Sequence, residues 1–86
     1  MMSSKKRDCL SAAAQQYEFA SVAKMNATGC IDDATKLANF AGGAGKFIFA
    51  STIKKYRDEA ERLSARANEH AKNARALEET ARKCWF

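Results

Sequence analysis

The chain has 86 residues and a formal net charge of +5, which suits one small domain over residues 1–86. A domain of this size buries only about 60–65% of the surface that its unfolded chain exposes, so it needs a disulfide, a metal or a partner for support. Cys9, Cys30, Cys84 and the single His70 lack the short spacings of disulfide frameworks and zinc sites. We therefore expect no metal or other cofactor, and support from self-association or a partner.

Location and partner class are predicted only broadly. An apolar run over 10–14 is too short for the core of a signal peptide. The most apolar window, 37–53, contains Asn39, Lys46 and three glycines, so it falls short of the roughly 18–20 apolar residues of a membrane span. Three unpaired thiols suit a reducing compartment, and we expect a cytoplasmic protein. Excess positive charge favours nucleic acid, anionic lipid or an acidic protein surface as partner.

The sequence predicts an all-α fold. It contains no proline and no alternating β-branched run, and it is rich in alanine, the best helix former. We predict helices over 4–26, 29–41 and 46–84. Thr28 is expected to cap the second helix, after a break near Gly29. Gly42-Gly43-Ala44-Gly45 is expected to form the main turn.

The two arms on either side of this turn, 4–41 and 46–84, are nearly equal in length. This predicts a long antiparallel helical hairpin with a kinked first arm, which dimerises into a small bundle. Folding at the glycines would place Tyr17 beside His70, as its hydrogen-bond partner. The alternative is a three-helix bundle with a protruding C-terminal helix, which leaves the last third of that helix uncovered.

The long C-terminal helix carries the clearest pattern in the chain. Small or apolar residues recur at spacings of three and four: Ile53, Tyr56, Ala60, Leu63, Ala67, His70, Ala74, Leu77, Ala81 and Cys84. Such a heptad seam packs against another helix or a second copy of the chain. Its alternation of alanine with larger residues resembles the layers of small RNA-binding dimeric helical hairpins, a resemblance of architecture alone.

The first arm offers more apolar surface than one partner helix needs. One stripe consists of Leu10, Ala14, Tyr17 and Ser21, and the other of Cys9, Ala12, Phe19 and Ala23. A wide apolar face on a helix indicates packing on two sides. We expect either a second hairpin or a larger partner protein there.

Two further features are candidate contact sites. A basic stripe runs along the side of the C-terminal helix opposite the seam: Lys54, Lys55, Arg62, Arg75, Arg82 and Lys83. It would suit a phosphate backbone, although no aromatic residues are interleaved for base stacking, and an ordinary solvated helix surface is the favoured explanation. The terminal Trp85-Phe86 is a candidate aromatic anchor for a partner, or folds back on the bundle.

Catalysis is not expected. The glycine turn lacks the first glycine and the hydroxyl of a phosphate-binding loop, since Phe40 and Phe47 stand at those positions. No nucleophile has a base at a predictable distance. We expect a non-enzymatic protein–protein interaction module: an adaptor, an assembly factor, or an inhibitor that blocks a surface of a larger assembly. The alternative is a nucleic-acid-binding protein that uses the basic stripe, and attachment to anionic membranes is a weaker third option.

Overall fold

The computed structural model describes residues 4–84. These residues form three helices, α1 (Ser4–Gly43), α2 (Gly45–Ile48) and α3 (Ala50–Arg82), and contain no strand. The long α3 packs against α1, so the prediction of an all-α helical hairpin is confirmed. α1 continues without a break up to Phe40, so the second predicted helix, 29–41, is not separate from the first.

The predicted break near Thr28 and Gly29 is wrong. The Thr28 hydroxyl donates a hydrogen bond to the Lys24 carbonyl oxygen at 3.1 Å, one turn earlier, instead of capping a new helix. Gly29 is helical as well. Ala27 is buried on one side of it and Cys30 half-buried on the other. Packing on both sides of this point keeps the helix intact despite the weak helix propensity of glycine and threonine.

The kink in the first arm lies at its end instead. Phe40 leaves the helix with an extended backbone (ψ 138°), and Ala41, Gly42 and Gly43 follow with φ of 52°, 71° and 106°. Glycine adopts these positive values without steric cost, so the predicted glycine turn is where the chain reverses. Ala41 is the one described non-glycine residue in this left-handed region.

The final helix is shorter than predicted and begins in two pieces. A single helical turn, α2, ends at Phe49, whose backbone (φ −110°, ψ 25°) departs from helical values before α3 begins at Ala50. The backbone at Gly45 packs closely against that of Leu37. A Cβ atom at position 45 would lie 1.7 Å from the Leu37 carbonyl oxygen, so this position requires glycine. At its other end the helix stops at Arg82, not at residue 84.

Contacts group the described chain into two units, and each unit is built from both long helices. The first takes the chain up to Val22 and from Arg66 onwards, and the second is Ala23–Ala65. The buried side chains are nearly all alanine: Ala13, Ala67, Ala74 and Ala81 in the first unit, and Ala23, Ala27, Ala34, Ile53 and Ala60 in the second. Small side chains of this kind allow helix axes to approach closely.

Burial follows a heptad row along each long helix. In α3 the row Ile53, Ala60, Ala67, Ala74 and Ala81 is at most 6% exposed, and the residues Tyr56, Leu63, His70, Leu77 and Cys84 between them are half-buried. In α1 the matching row is Ala13, Ala20, Ala27 and Ala34, of which Ala20 is half-buried and the others are buried. We call these the alanine rows. The predicted stripe of Leu10, Ala14, Tyr17 and Ser21 is exposed instead.

Candidate interaction surfaces

Large apolar side chains of α1 lie on both sides of its alanine row in the first unit. Leu10 and Tyr17 are seven positions apart on one side, and Phe19 lies on the other side, with Val22 three positions on and farther from the row. They are 36–50% exposed. Alanine closes the contact between the helices, so these larger side chains stay outside it. We call Leu10, Tyr17, Phe19 and Val22 the apolar flanks of α1.

Tyr17 makes a polar contact with α3. Its hydroxyl donates a hydrogen bond to the Glu78 carboxylate, and this bond raises the pKa of Tyr17 above its ordinary value. The predicted partner of Tyr17 was His70, and this prediction is wrong, since Tyr17 pairs with Glu78 and His70 with Gln16.

His70 lies on α3 with its ring between two residues of α1. Its Nδ1 is 2.7 Å from Gln16 Oε1, which accepts a hydrogen bond from the ring. The centroid of the ring lies 5.5 Å from that of Phe19, with the two planes tilted by 55°. A half-buried histidine with a polar partner and an aromatic neighbour is a packing residue. It has neither a thiol nor a hydroxyl among these contacts to activate.

A groove of about 620 Å³ lies beside Leu10 in the first unit. Its lining is mixed in charge: Lys6, Leu10, Arg75, Glu78, Glu79, Ala81 and Arg82. The rim of this groove therefore carries both basic and acidic side chains around the apolar Leu10.

Most of the basic stripe is paired with carboxylates on the same helix. Lys54 lies 3.2 Å from Asp58, Arg62 donates to Glu59, and Glu79 receives both Arg82 and Lys83. These are exposed pairs, worth about 0–1 kcal/mol each. Within the described chain, Lys55 and Arg75 have no ion pair. The basic stripe is thus accompanied by negative charge along its length.

The glycine turn carries exposed apolar side chains that the sequence analysis did not single out. Phe47 is 83% exposed, Ile48 62% and Phe40 55%. We call these three residues the turn cluster. The Phe40 ring packs edge-on against that of Phe49, with 5.6 Å between the ring centroids. The signal for Phe47 and Ile48 was present in the sequence, as a Phe-Ile-Phe run separated from the last glycine by Lys46 alone.

The second unit has a groove of about 530 Å³ next to this turn. Lys46, Lys54 and Arg57 line it together with the small or apolar Ala38, Ala50 and Ile53, and with Asp58 and Glu61 at the α3 side. Its charged lining, three basic and two acidic side chains, matches that of the groove in the first unit, whereas its apolar part is larger, with Ala38, Ala50 and Ile53.

Other classes of site are not found in residues 4–84. Those residues contain no group of three side chains suited to hold a metal, and none of their helices is long and apolar enough to cross a membrane. Trp85 and Phe86, the candidate anchor, lie outside the described residues. The chain matches no protein-family model, and neither a curated protein nor a solved structure shows significant similarity to it.

Proposed function

We propose that this protein is a non-enzymatic protein–protein interaction module that binds partner helices along the apolar flanks of α1. The observation that carries the proposal is the exposure of Leu10, Tyr17, Phe19 and Val22 beside an alanine row that is already closed. The core contains almost only small alanine side chains, and these four larger apolar side chains nevertheless remain on the surface.

The energetic reason is the small amount of apolar area that alanine buries. Full burial of a large apolar side chain contributes about 1.5–3 kcal/mol, and each flank residue still has roughly a third to a half of its surface to bury. Single exposed apolar residues are ordinary, but four within thirteen positions of one helix form a surface that gains from being covered. A tyrosine in such a surface is a favoured contact residue at protein interfaces.

Flanks on both sides of the row suit two neighbouring helices, such as those of a second copy or of a larger assembly. By covering a partner's surface the protein would act as an adaptor, an assembly factor or an inhibitor. The surroundings of His70 support a binding role over catalysis, because its described contacts are Gln16 and Phe19.

The test is association of the full chain, alone and with its source-cell lysate. Sedimentation velocity measures self-association, and a pull-down with nuclease treatment in parallel identifies a partner. Phe19→Ser/Val22→Ser should abolish whichever association is found while circular dichroism stays helical. Met25→Ser, at a 70% exposed position of the same helix, is the control and should change nothing.

Two outcomes would count against the proposal. A folded monomer that captures no protein would remove its basis. Capture that disappears with nuclease would support the nucleic-acid alternative instead.

A further inference from the structure

We infer that the glycine turn and its neighbouring lysines form a docking element for an anionic membrane surface. In this role the turn cluster of Phe40, Phe47 and Ile48 enters the interfacial layer, and the surrounding basic side chains bind anionic headgroups. The element lies in the second unit and shares no residue with the apolar flanks of α1, so it stands independently of the proposed function.

The first observation is how the apolar side chains are displayed. The positive φ values at Ala41, Gly42 and Gly43 reverse the chain in a short turn, and the single helical turn α2 follows at once. Phe47 and Ile48 on α2 are the most exposed of the three turn residues, at 83% and 62%. Large apolar side chains held on a short turn can enter a lipid interface without any rearrangement of the long helices.

The second observation is the distribution of charge. Residues 36–57 contain five basic side chains and no acidic one: Lys36, Lys46, Lys54, Lys55 and Arg57. Residues 1–35 contain four basic and four acidic side chains, and residues 58–86 contain six of each. The whole net charge of +5 is therefore concentrated in the stretch that holds the turn cluster. We call residues 36–57 the basic window.

This combination favours lipid over a protein pocket. Lysine is depleted at protein–protein interfaces, whereas interfacial membrane elements combine lysine with phenylalanine and other large apolar residues. Long lysine side chains reach along an apolar surface and keep their charge at the headgroup level. Lys46 and Arg57 at the groove next to the turn are the nearest cations for an anionic headgroup there, since Lys54 pairs with Asp58 and Glu61 also lines that groove.

The experiment is vesicle co-sedimentation of the full chain. Vesicles of phosphatidylcholine alone are compared with vesicles of phosphatidylcholine and phosphatidylserine, at low and at high salt. The expected result is binding to the phosphatidylserine vesicles, weak binding to phosphatidylcholine, and loss of binding as salt rises, because each basic residue near an anionic surface strengthens binding about fivefold.

Two double variants separate the two contributions. Phe47→Ser/Ile48→Ser should lower the partition coefficient more than tenfold, and its control Ile31→Ser, 51% exposed in the same unit, should not change it. Lys46→Gln/Lys55→Gln should lower it by about 25-fold, since each lysine contributes about fivefold. Its control Lys24→Gln/Lys72→Gln removes two exposed charges outside the basic window and should have a much smaller effect.

Insertion itself is read from a single tryptophan. In a Trp85→Phe background, Phe47→Trp should show blue-shifted emission and quenching by brominated lipid when vesicles are added. Ile31→Trp, at a 51% exposed position of the same unit outside the turn cluster, should show neither. Circular dichroism of every variant establishes that the helices are intact.

Several results would overturn the inference. Absence of binding to phosphatidylserine vesicles would do so, as would binding that is unchanged in Phe47→Ser/Ile48→Ser. A photoreactive residue at position 47 that crosslinks to a protein or to a second copy, without vesicle binding, would assign the turn cluster to that occupant instead.

Discussion

At the scale of single residues, polar contacts fix how α1 and α3 meet in the first unit. Tyr17 donates to Glu78, and His70 donates to Gln16. The sequence placed His70 on the packing seam, and the structure leaves it half-buried there. Its partner was assigned wrongly, because a hairpin register read from apolar pairs is uncertain by a residue or two, and Gln16 is the immediate neighbour of Tyr17.

The Tyr17 hydroxyl offers a direct measurement of its contact. The hydrogen bond to Glu78 is the main cause that raises the pKa of Tyr17 in the folded chain above 10.0, its value in the unfolded chain. The contact therefore stabilises the fold fully below pH 10.0, and this stabilisation is lost as the pH rises through the folded pKa. Tyr56→Phe leaves Tyr17 as the single tyrosine. Its tyrosinate absorbance should titrate above the midpoint of the denatured chain, and Glu78→Gln should bring the two midpoints closer together. Identical folded and denatured midpoints would show that the contact is not formed.

The amide of Gln16 is expected to stabilise the fold through His70. Gln16→Ala removes the acceptor at 2.7 Å and leaves a half-buried ring nitrogen unpaired, so the free energy of unfolding should fall by about 1 kcal/mol in urea denaturation. The neighbouring Gln15 is exposed, and Gln15→Ala is the control with an effect near zero. Equal effects of the two substitutions would mean that the hydrogen bond contributes nothing.

At the scale of helices, predictability depended on which residues mark the buried side. In α3 the larger Tyr56, Leu63 and Leu77 alternate with alanine, so the heptad pattern was visible in the sequence. In α1 the buried residues are alanines flanked by larger Leu10 and Phe19, and large apolar residues were taken as the core. Close helix packing reversed that expectation, because only small side chains fit between the axes.

The alanine rows predict a steep size limit at their centre. Ala74 is completely buried, so Ala74→Leu must push the helices apart and should lower the free energy of unfolding by about 1–3 kcal/mol. Ala76→Leu adds the same group two positions away, at an exposed site of α3, and should be nearly neutral. Thermal or urea denaturation of the pair checks this. A neutral Ala74→Leu would show that the row does not face a helix.

Gly29 and Gly45 respond in opposite directions to the same substitution. Gly29 is helical with no atom within 4 Å of an added Cβ, so Gly29→Ala should raise the free energy of unfolding by about 0.5–1 kcal/mol. Gly45→Ala should lower it, since the Cβ would collide with the Leu37 carbonyl oxygen. Denaturation curves measure both. If Gly29→Ala lowers the free energy of unfolding instead, the helix is interrupted near Thr28, as the sequence had suggested.

At the scale of the whole molecule, the fold class followed from composition and periodicity, whereas the surfaces did not. Absence of proline, abundant alanine and a central glycine turn were sufficient for an all-α hairpin. Which apolar residues remain exposed depends on which row closes the helix contact, and that became clear only from burial. The basic stripe was predicted from spacing, but side-chain pairs with Glu59, Glu79 and Asp58 determine how much of its charge is available.

Charge distribution leads to a last prediction, about where any polyanion binds. Arg62→Ala/Arg75→Ala/Arg82→Ala and Lys36→Gln/Lys46→Gln/Lys55→Gln each remove three positive charges, so their net charges are identical. The arginines lie in a stretch that is neutral as a whole, with carboxylates that repel a polyanion, whereas the lysines lie in the basic window, which has none. The lysine variant should therefore elute from immobilised heparin at clearly lower salt than the arginine variant. If the arginine variant elutes at the lower salt instead, polyanions bind at the basic stripe of α3, which favours the nucleic-acid alternative.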